Sequence, residues 1–188
     1  MRRAAVEKRA MISEPLLHRM KILVVDDDRM TVTLLEQLLQ RYGYSRVMGI
    51  ANSREALATC AAFDPDLILL DLIMPEMDGF AILEALRPDA PESFLPIVVL
   101  TADVSEEAKA RALGAGATDF LVKPVSQTEA LLRIRNLLET RRLHVLLENQ
   151  RSALEEAVRE RTAELRGTIA ELQAVNQRLQ GSSAFSNA

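Results

Sequence analysis

Tryptophan is absent, and aromatic residues make up only 4% of the 188-residue chain, so any core must be aliphatic. Leu, Val, Ile and Ala are plentiful, and at 48% hydrophobic residues a sizeable core is available. A single cysteine, Cys60, excludes an internal disulfide framework and fits a reducing compartment. It reads as a small apolar residue on a helix. With only two histidines besides, a zinc centre is not expected. Positive charge is not in excess: the net charge is -4 and the pI about 5.3, which argues against nucleic-acid binding through charge. No apolar run approaches the roughly 20 residues that span a bilayer. The basic N-terminus (Arg2, Arg3, Lys8, Arg9) runs into Glu14 and Pro15, so no signal peptide is expected. The expected location is the cytoplasm, with no membrane partner.

What is present is a set of short aliphatic runs that each end on a polar residue. Lys21-Ile22-Leu23-Val24-Val25 stops on Asp26-Asp27-Asp28. Leu67-Ile68-Leu69-Leu70 stops on Asp71, Ile97-Val98-Val99-Leu100 on Thr101, and Thr118 to Val122 on Lys123-Pro124. Val47 to Ala51 forms a fifth run. Such unalternated runs predict strands buried on both faces. Between them, apolar residues recur at helical spacing. Helices are expected from Met30 to Gly43, from Arg54 to Ala62 (capped by Asn52 or Ser53), from about Gly79 to Leu86, from Ser105 to near Gly114, and from Ser126 or Thr128 onward. Residues 87–96, with three prolines, read as a loop. Five strands alternating with five helices predict an α/β fold, a doubly wound parallel sheet with helices on both faces.

In such a sheet the carboxyl ends of neighbouring strands converge. Asp26, Asp27, Asp71, Thr101 and Lys123 are therefore expected in one crevice. Each alone has a plain structural reading: Asp71 or the Asp pair as helix caps, Thr101 as a strand residue, Lys123 as a surface charge. Three carboxylates at one point repel and call for a cation. Oxygen ligands with room for water suit Mg²⁺, with Mn²⁺ as an alternative. A metal, a lysine and a hydroxyl around one carboxylate make a site for phosphoryl transfer onto Asp71.

The motifs Val24-Val25-Asp26-Asp27, Leu70-Asp71-Leu72-Ile73-Met74-Pro75-Glu76-Met77-Asp78-Gly79, Thr101-Ala102 and Lys123-Pro124 resemble the receiver domain of two-component response regulators. The resemblance covers about residues 20–140. It implies a flavodoxin-like sheet of strand order 2-1-3-4-5, and phosphorylation of Asp71 by a sensor histidine kinase or phosphotransfer protein. It also implies that Asp26, Asp27 and Asp71 hold the metal together with the backbone carbonyl of Ile73. Thr101, Ala102 and Lys123 would bind the phosphoryl group, Phe120 would be the switch aromatic, and Pro124 would follow a cis bond. Ile73 stands where fast-hydrolysing members often have a polar residue, which implies slow loss of phosphate, with Asp103 as the nearby polar helper. His18 and His144 lack the flanking pattern of kinase phosphoacceptor helices and read as ordinary helix residues.

From about Glu139 the chain becomes rich in Glu, Arg, Leu and Ala. Leu147, Leu154, Val158, Leu165, Leu172, Val175 and Leu179 fall on one heptad seam, whose remaining places hold His144, Arg151, Arg161 and Thr168. The expected organisation is a flexible leader over 1–19, a receiver over 20–140, a coiled-coil helix over 141–180 that makes a homodimer, and a disordered tail over 181–188. The segment is similar to linkers that precede HD-GYP or GGDEF output domains, which implies the regulatory part of a larger response regulator and no enzyme within this sequence. A stand-alone adaptor acting through the coil and a Mg²⁺ phosphohydrolase are the alternatives. The latter would want a second aspartate where Ile73 stands.

Overall fold

The computed structural model describes residues 15–75, 78–86, 94–103 and 105–184. Strand β1 (Lys21–Val25) is followed by α1 (Arg29–Arg41), β2 (Arg46–Ile50), α2 (Ala56–Phe63), β3 (Leu67–Asp71), α3 (Gly79–Ala85), β4 (Ile97–Thr101), α4 (Glu106–Ala115), β5 (Asp119–Val122) and α5 (Gln127–Ala184). All strand pairs are parallel, and the sheet order is β2-β1-β3-β4-β5. The uninterrupted aliphatic runs explain the middle of the sheet. Every residue of β3 and β4 is buried, because helices cover both faces.

Alternation along each strand divides the core into two clusters. One face presents Ile22, Val24, Leu69, Val98 and Leu121 to Val32, Leu35 and Leu39 of α1 and to Ala130, Ile134 and Leu138 of α5. The other presents Leu23, Val25, Leu70 and Val99 to Ala56 and Cys60 of α2, Ile82 and Leu83 of α3 and Ala112 of α4. Cys60 is free and buried, as a small apolar residue would be.

Four expectations shift. Residues 15–17 are helical, as a flexible or weakly helical leader allowed, but Leu17 is 2% exposed in the first cluster, which its mixed-charge surroundings did not suggest. The His18 carbonyl accepts from the Ser45 N–H at 2.9 Å and the Ser45 hydroxyl at 3.0 Å, and its ring stands edge-on to Tyr44. The packed chain thus begins before Lys21; residues 1–14 lie outside the described residues. Second, Asn52 caps a 3₁₀ turn (Ser53–Glu55), and the α-helix starts only at Ala56. Third, α4 ends at Ala115, next to the expected stop near Gly114, but the residue that closes it is Gly116, whose φ of +116° suits glycine. Fourth, residues 181–184 are helical, although their small polar composition pointed to a disordered tail; 185–188 lie outside the described residues. Residues 87–93 of the proline-rich loop are also outside them.

Helix α5 has no break at residue 140, and the first compact unit ends at His144. Within that unit Arg141 donates from Nη1 to the Phe94 carbonyl at 2.7 Å, and His144 stacks on Phe94 with ring centroids 4.7 Å apart. In the second unit Leu147, Leu154, Val158, Leu165 and Leu172 are all exposed. Val175 and Leu179 lie outside the residues whose side chains are described. No helix among the described residues is long and apolar enough to cross a membrane.

Two glycines test the packing from opposite sides. A Cβ on Gly79 would lie 2.3 Å from the Asp71 carbonyl oxygen and 2.6 Å from the Leu72 Cα, so backbone would have to move. A Cβ on Gly114 would meet nothing within 4 Å. Gly79→Ala is expected to cost about 1–3 kcal/mol in urea denaturation. Gly114→Ala is expected to add up to about 1 kcal/mol, because alanine is the better helix former. Equal midpoints for the two variants would contradict this packing.

Candidate phosphoryl-acceptor site

The site is built at the carboxyl ends of β1, β3, β4 and β5, where each strand hands over to a loop. Asp26 follows β1 and is fully buried. Its Oδ1 accepts from the Asp28 N–H at 3.0 Å, and its Oδ2 lies 2.8 Å from Lys123 Nζ. Asp27 is exposed, and Asp28 has a separate task. Asp28 caps α1, accepting from the N–H groups of Met30 and Thr31 and from the Thr31 hydroxyl at 2.8 Å, and these bonds hold its carboxyl below the ordinary value. Of the three consecutive aspartates, two are thus left for the crevice.

Asp71 is the last residue of β3 and is 4% exposed. Its Oδ1 accepts weakly from the Ile73 N–H at 3.4 Å, and its Oδ2 lies 3.0 Å from Lys123 Nζ. One ammonium therefore bridges two carboxylates carried by different strands. Oxygens of Asp26, Asp27 and Asp71 lie within 4.8 Å of one another. Two full charges at that distance repel by about 3.5 kcal/mol at an effective dielectric of about 20. Burial pushes the Asp26 carboxyl up from its ordinary value, and the nearby Asp71 adds to the rise, while Lys123 and the Asp28 N–H pull it down. Desolvation works to lower Lys123, yet its bonds to Asp26 and Asp71 outweigh this and hold the ammonium above its ordinary value. The donor set is all oxygen, and one member, Asp27, opens to solvent. That chemistry fits a hard divalent cation that keeps several waters.

Thr101 ends β4 and is 5% exposed. Its hydroxyl accepts from the Asp103 N–H at 3.0 Å and donates to the Asp103 carbonyl at 3.3 Å, so both of its bonds stay within its own loop. The structure thus gathers Asp26, Asp27, Asp71 and Lys123, while Thr101 is engaged with Asp103 and Ala102 is exposed beside it. Leu72, Ile73, Phe80, Thr101, Asp103 and Arg111 line a cavity of about 380 Å³ next to Asp71. Ile73 is 70% exposed there. The Lys123–Pro124 peptide bond is cis. Glu76 and Met77 of the β3–α3 loop lie outside the described residues.

Phe120 is half-buried on β5 and carries two cations. Lys109 Nζ lies 5.1 Å from the ring centroid and the Arg133 guanidinium 5.8 Å. Arg133 is itself held by both Asp119 oxygens at 2.6–2.7 Å and by Glu129. Arg111 stacks on Phe80 at 3.8 Å. Sequence reasoning placed Lys109 on a helix but gave none of these three cations a role at a ring. Lys109, Arg111 and Arg133 sit on ordinary charged helix faces, and only the tertiary fold brings them to the aromatic rings.

Comparison with known proteins agrees with this geometry. Residues 22–135 match the response regulator receiver domain family. The chain is 40% identical over 118 residues to the alkaline phosphatase synthesis transcriptional regulatory protein PhoP of Bacillus subtilis, covering 63% of this chain and 48% of PhoP. It is 39% identical over 117 residues to the response regulator PleD of Caulobacter vibrioides, covering 62% of this chain and 26% of PleD. Among solved structures it is similar to the chemotaxis protein CheY4 of Vibrio cholerae, with a TM-score of 0.59, 35% identity, and coverage of 63% of this chain and 98% of that one. The chain spans half or less of the length of the two curated relatives. With its match over residues 22–135, the chain belongs to the response regulator receiver domain family of two-component signalling proteins.

Proposed function

We propose that Asp71 accepts a phosphoryl group from a phosphohistidine of a sensor histidine kinase or phosphotransfer protein, and that the change is read out through α5. The observation that carries this reading is the Lys123 ammonium between Asp26 and Asp71, beside a third carboxylate. An Asp71 oxygen forms the new bond to phosphorus while the donor's P–N bond breaks. The electron pair stays on the donor imidazole, which takes a proton from solvent. Asp26, Asp27, Asp71 and the Ile73 carbonyl would hold Mg²⁺, or Mn²⁺ in its place, and the ion would supply charge neutralisation for the phosphoryl oxygens. Lys123 balances charge from the other side, and Thr101 would leave Asp103 to bond a phosphoryl oxygen. Incubation of the full chain with acetyl phosphate and Mg²⁺ is expected to add the mass of one phosphoryl group. Asp71→Ala is expected to abolish the adduct, and an adduct of equal yield in that variant would overturn the assignment.

The phosphoryl lifetime is assigned to residue 73. An exposed isoleucine beside the acceptor offers no hydrogen bond to an attacking water. Ile73→Asn is expected to shorten the half-life of the phosphorylated chain several-fold, followed by intact mass after removal of acetyl phosphate. An unchanged half-life would place the control elsewhere.

Phosphorylation adds about -1.5 to -2 charge at Asp71. Thr101 and Phe120 lie on adjacent strands beside α4, and Arg133 of α5 touches Phe120. We assign residues 141–180 to a homodimeric helix pair whose packing is biased by this charge. The receiver is then the regulatory part of a longer signalling protein or of an assembly with a separate output partner. Leu165→Cys in the full chain is expected to form an intermolecular disulfide whose yield changes when acetyl phosphate is added. Equal yields in both conditions would count against coupling to the pair.

A further inference from the structure

We infer that Arg111 is a specificity-determining residue for phosphoryl donors at Asp71: its guanidinium receives the carboxylate that departs when the donor is an acyl phosphate. The inference rests on the reading of Asp71 as the acceptor. In-line displacement sends the leaving group away from the attacking Asp71 oxygen. The space it enters is bounded by the loops that follow β3 and β4. Ile73 and Asp103 each stand two residues past the end of a strand, after Asp71 and Thr101. Both line the cavity of about 380 Å³ beside Asp71, and Arg111 of α4 lines it with them.

Among the described residues Arg111 is the only cation in that lining. Its guanidinium lies 3.8 Å from the Phe80 ring centroid, the shortest of the cation–ring contacts among the described residues. Glu107 stands four residues before it, a spacing at which charges commonly pair on a helix. Yet no described carboxylate pairs with Arg111, which lies on the ring instead. Asp103, the other acid in the lining, accepts from the Ser105 N–H at 2.8 Å, which holds its carboxyl below the ordinary value. With two acids present the cavity is not a positive field, so selection lies in the directional fork of Arg111. A guanidinium lying on a ring keeps its in-plane N–H groups for another acceptor, and these match the two oxygens of a carboxylate. Leu72, Ile73 and Phe80 offer apolar surface for a short alkyl group beside it. With acetyl phosphate, the bond from Asp71 oxygen to phosphorus forms and the P–O bond to the acetyl group breaks. The electron pair leaves on an acetate oxygen, and Arg111 meets the charge that grows there. With phosphoramidate, the P–N bond breaks and the pair leaves on an already protonated nitrogen, as neutral ammonia. That leaving group gives the guanidinium no charge to bind.

Phosphorylation rates of the full chain with acetyl phosphate and with phosphoramidate, each in Mg²⁺ and followed by intact mass, test this. The ratio of the first rate to the second is expected to fall roughly fivefold or more in Arg111→Met, because charge-assisted bonds are lost from one reaction only. Arg111→Lys keeps the charge without the fork and is expected to recover only part of the ratio. An unchanged ratio in Arg111→Met, or full recovery in Arg111→Lys, would overturn the inference. An adduct from either donor that is lost in Asp71→Ala keeps the acceptor assignment standing whatever the ratio does. A wild type that neither donor modifies would overturn both.

Discussion

Two carboxylates on different strands are held by one lysine, and much of the architecture follows from accommodating them. Asp26 is buried and Asp71 almost so, yet both stand beside an ammonium whose charge is strengthened by their presence. Breaking a buried pair by removing one partner typically costs about 3–5 kcal/mol. The site therefore carries electrostatic stress that the fold must balance from β5. A parallel sheet supplies the geometry: β1, β3 and β5 all point the same way, so a carboxylate or an ammonium placed one residue past an aliphatic run arrives at the same edge. The backbone closes in tightly behind Asp71, where the Gly79 N–H donates to the Leu72 carbonyl at 3.0 Å and leaves no room for a Cβ.

The sheet and its working edge were legible because their signals are local. An aliphatic run with no polar interruption marks a strand covered on both faces, and the first polar residue after it marks the strand's end. Three such ends were enough to anticipate the meeting of Asp26, Asp71 and Lys123. Helix termini were less legible for an equally physical reason. Gly114 and Gly116 are both competent stops, and the helix closes at the second, where the backbone turns left-handed. Leu17 was hidden by its charged neighbours, since its cluster is assembled from residues distant in the sequence.

Long-range pairs were the least legible. Nothing in the order of residues says that Arg141 will reach the Phe94 carbonyl, that Arg111 will lie on Phe80, or that Arg133 will hold Asp119. Thr101 illustrates a subtler gap. Its place at the end of β4 was evident, but its hydroxyl is occupied by the Asp103 backbone, a loop geometry that strand patterning does not encode. The helical extension was legible as apolar periodicity, and Leu147, Leu154, Val158, Leu165 and Leu172 are all exposed along it.

The division of the core into two clusters has a mechanical consequence. Phe120, Leu72 and Met74 belong to the side covered by α2, α3 and α4, whereas the packed turns of α5 belong to the opposite side. The sheet acts as a bulkhead between them, and a disturbance near Asp71 does not reach α5 by simple side-chain jostling through the interior. It has to go around the rim. The described structure offers a route there: β5 is an edge strand, Phe120 and Leu121 face opposite compartments, and Arg133 reaches over the edge to Asp119 and Phe120. An edge strand of four residues thus becomes the gangway between compartments.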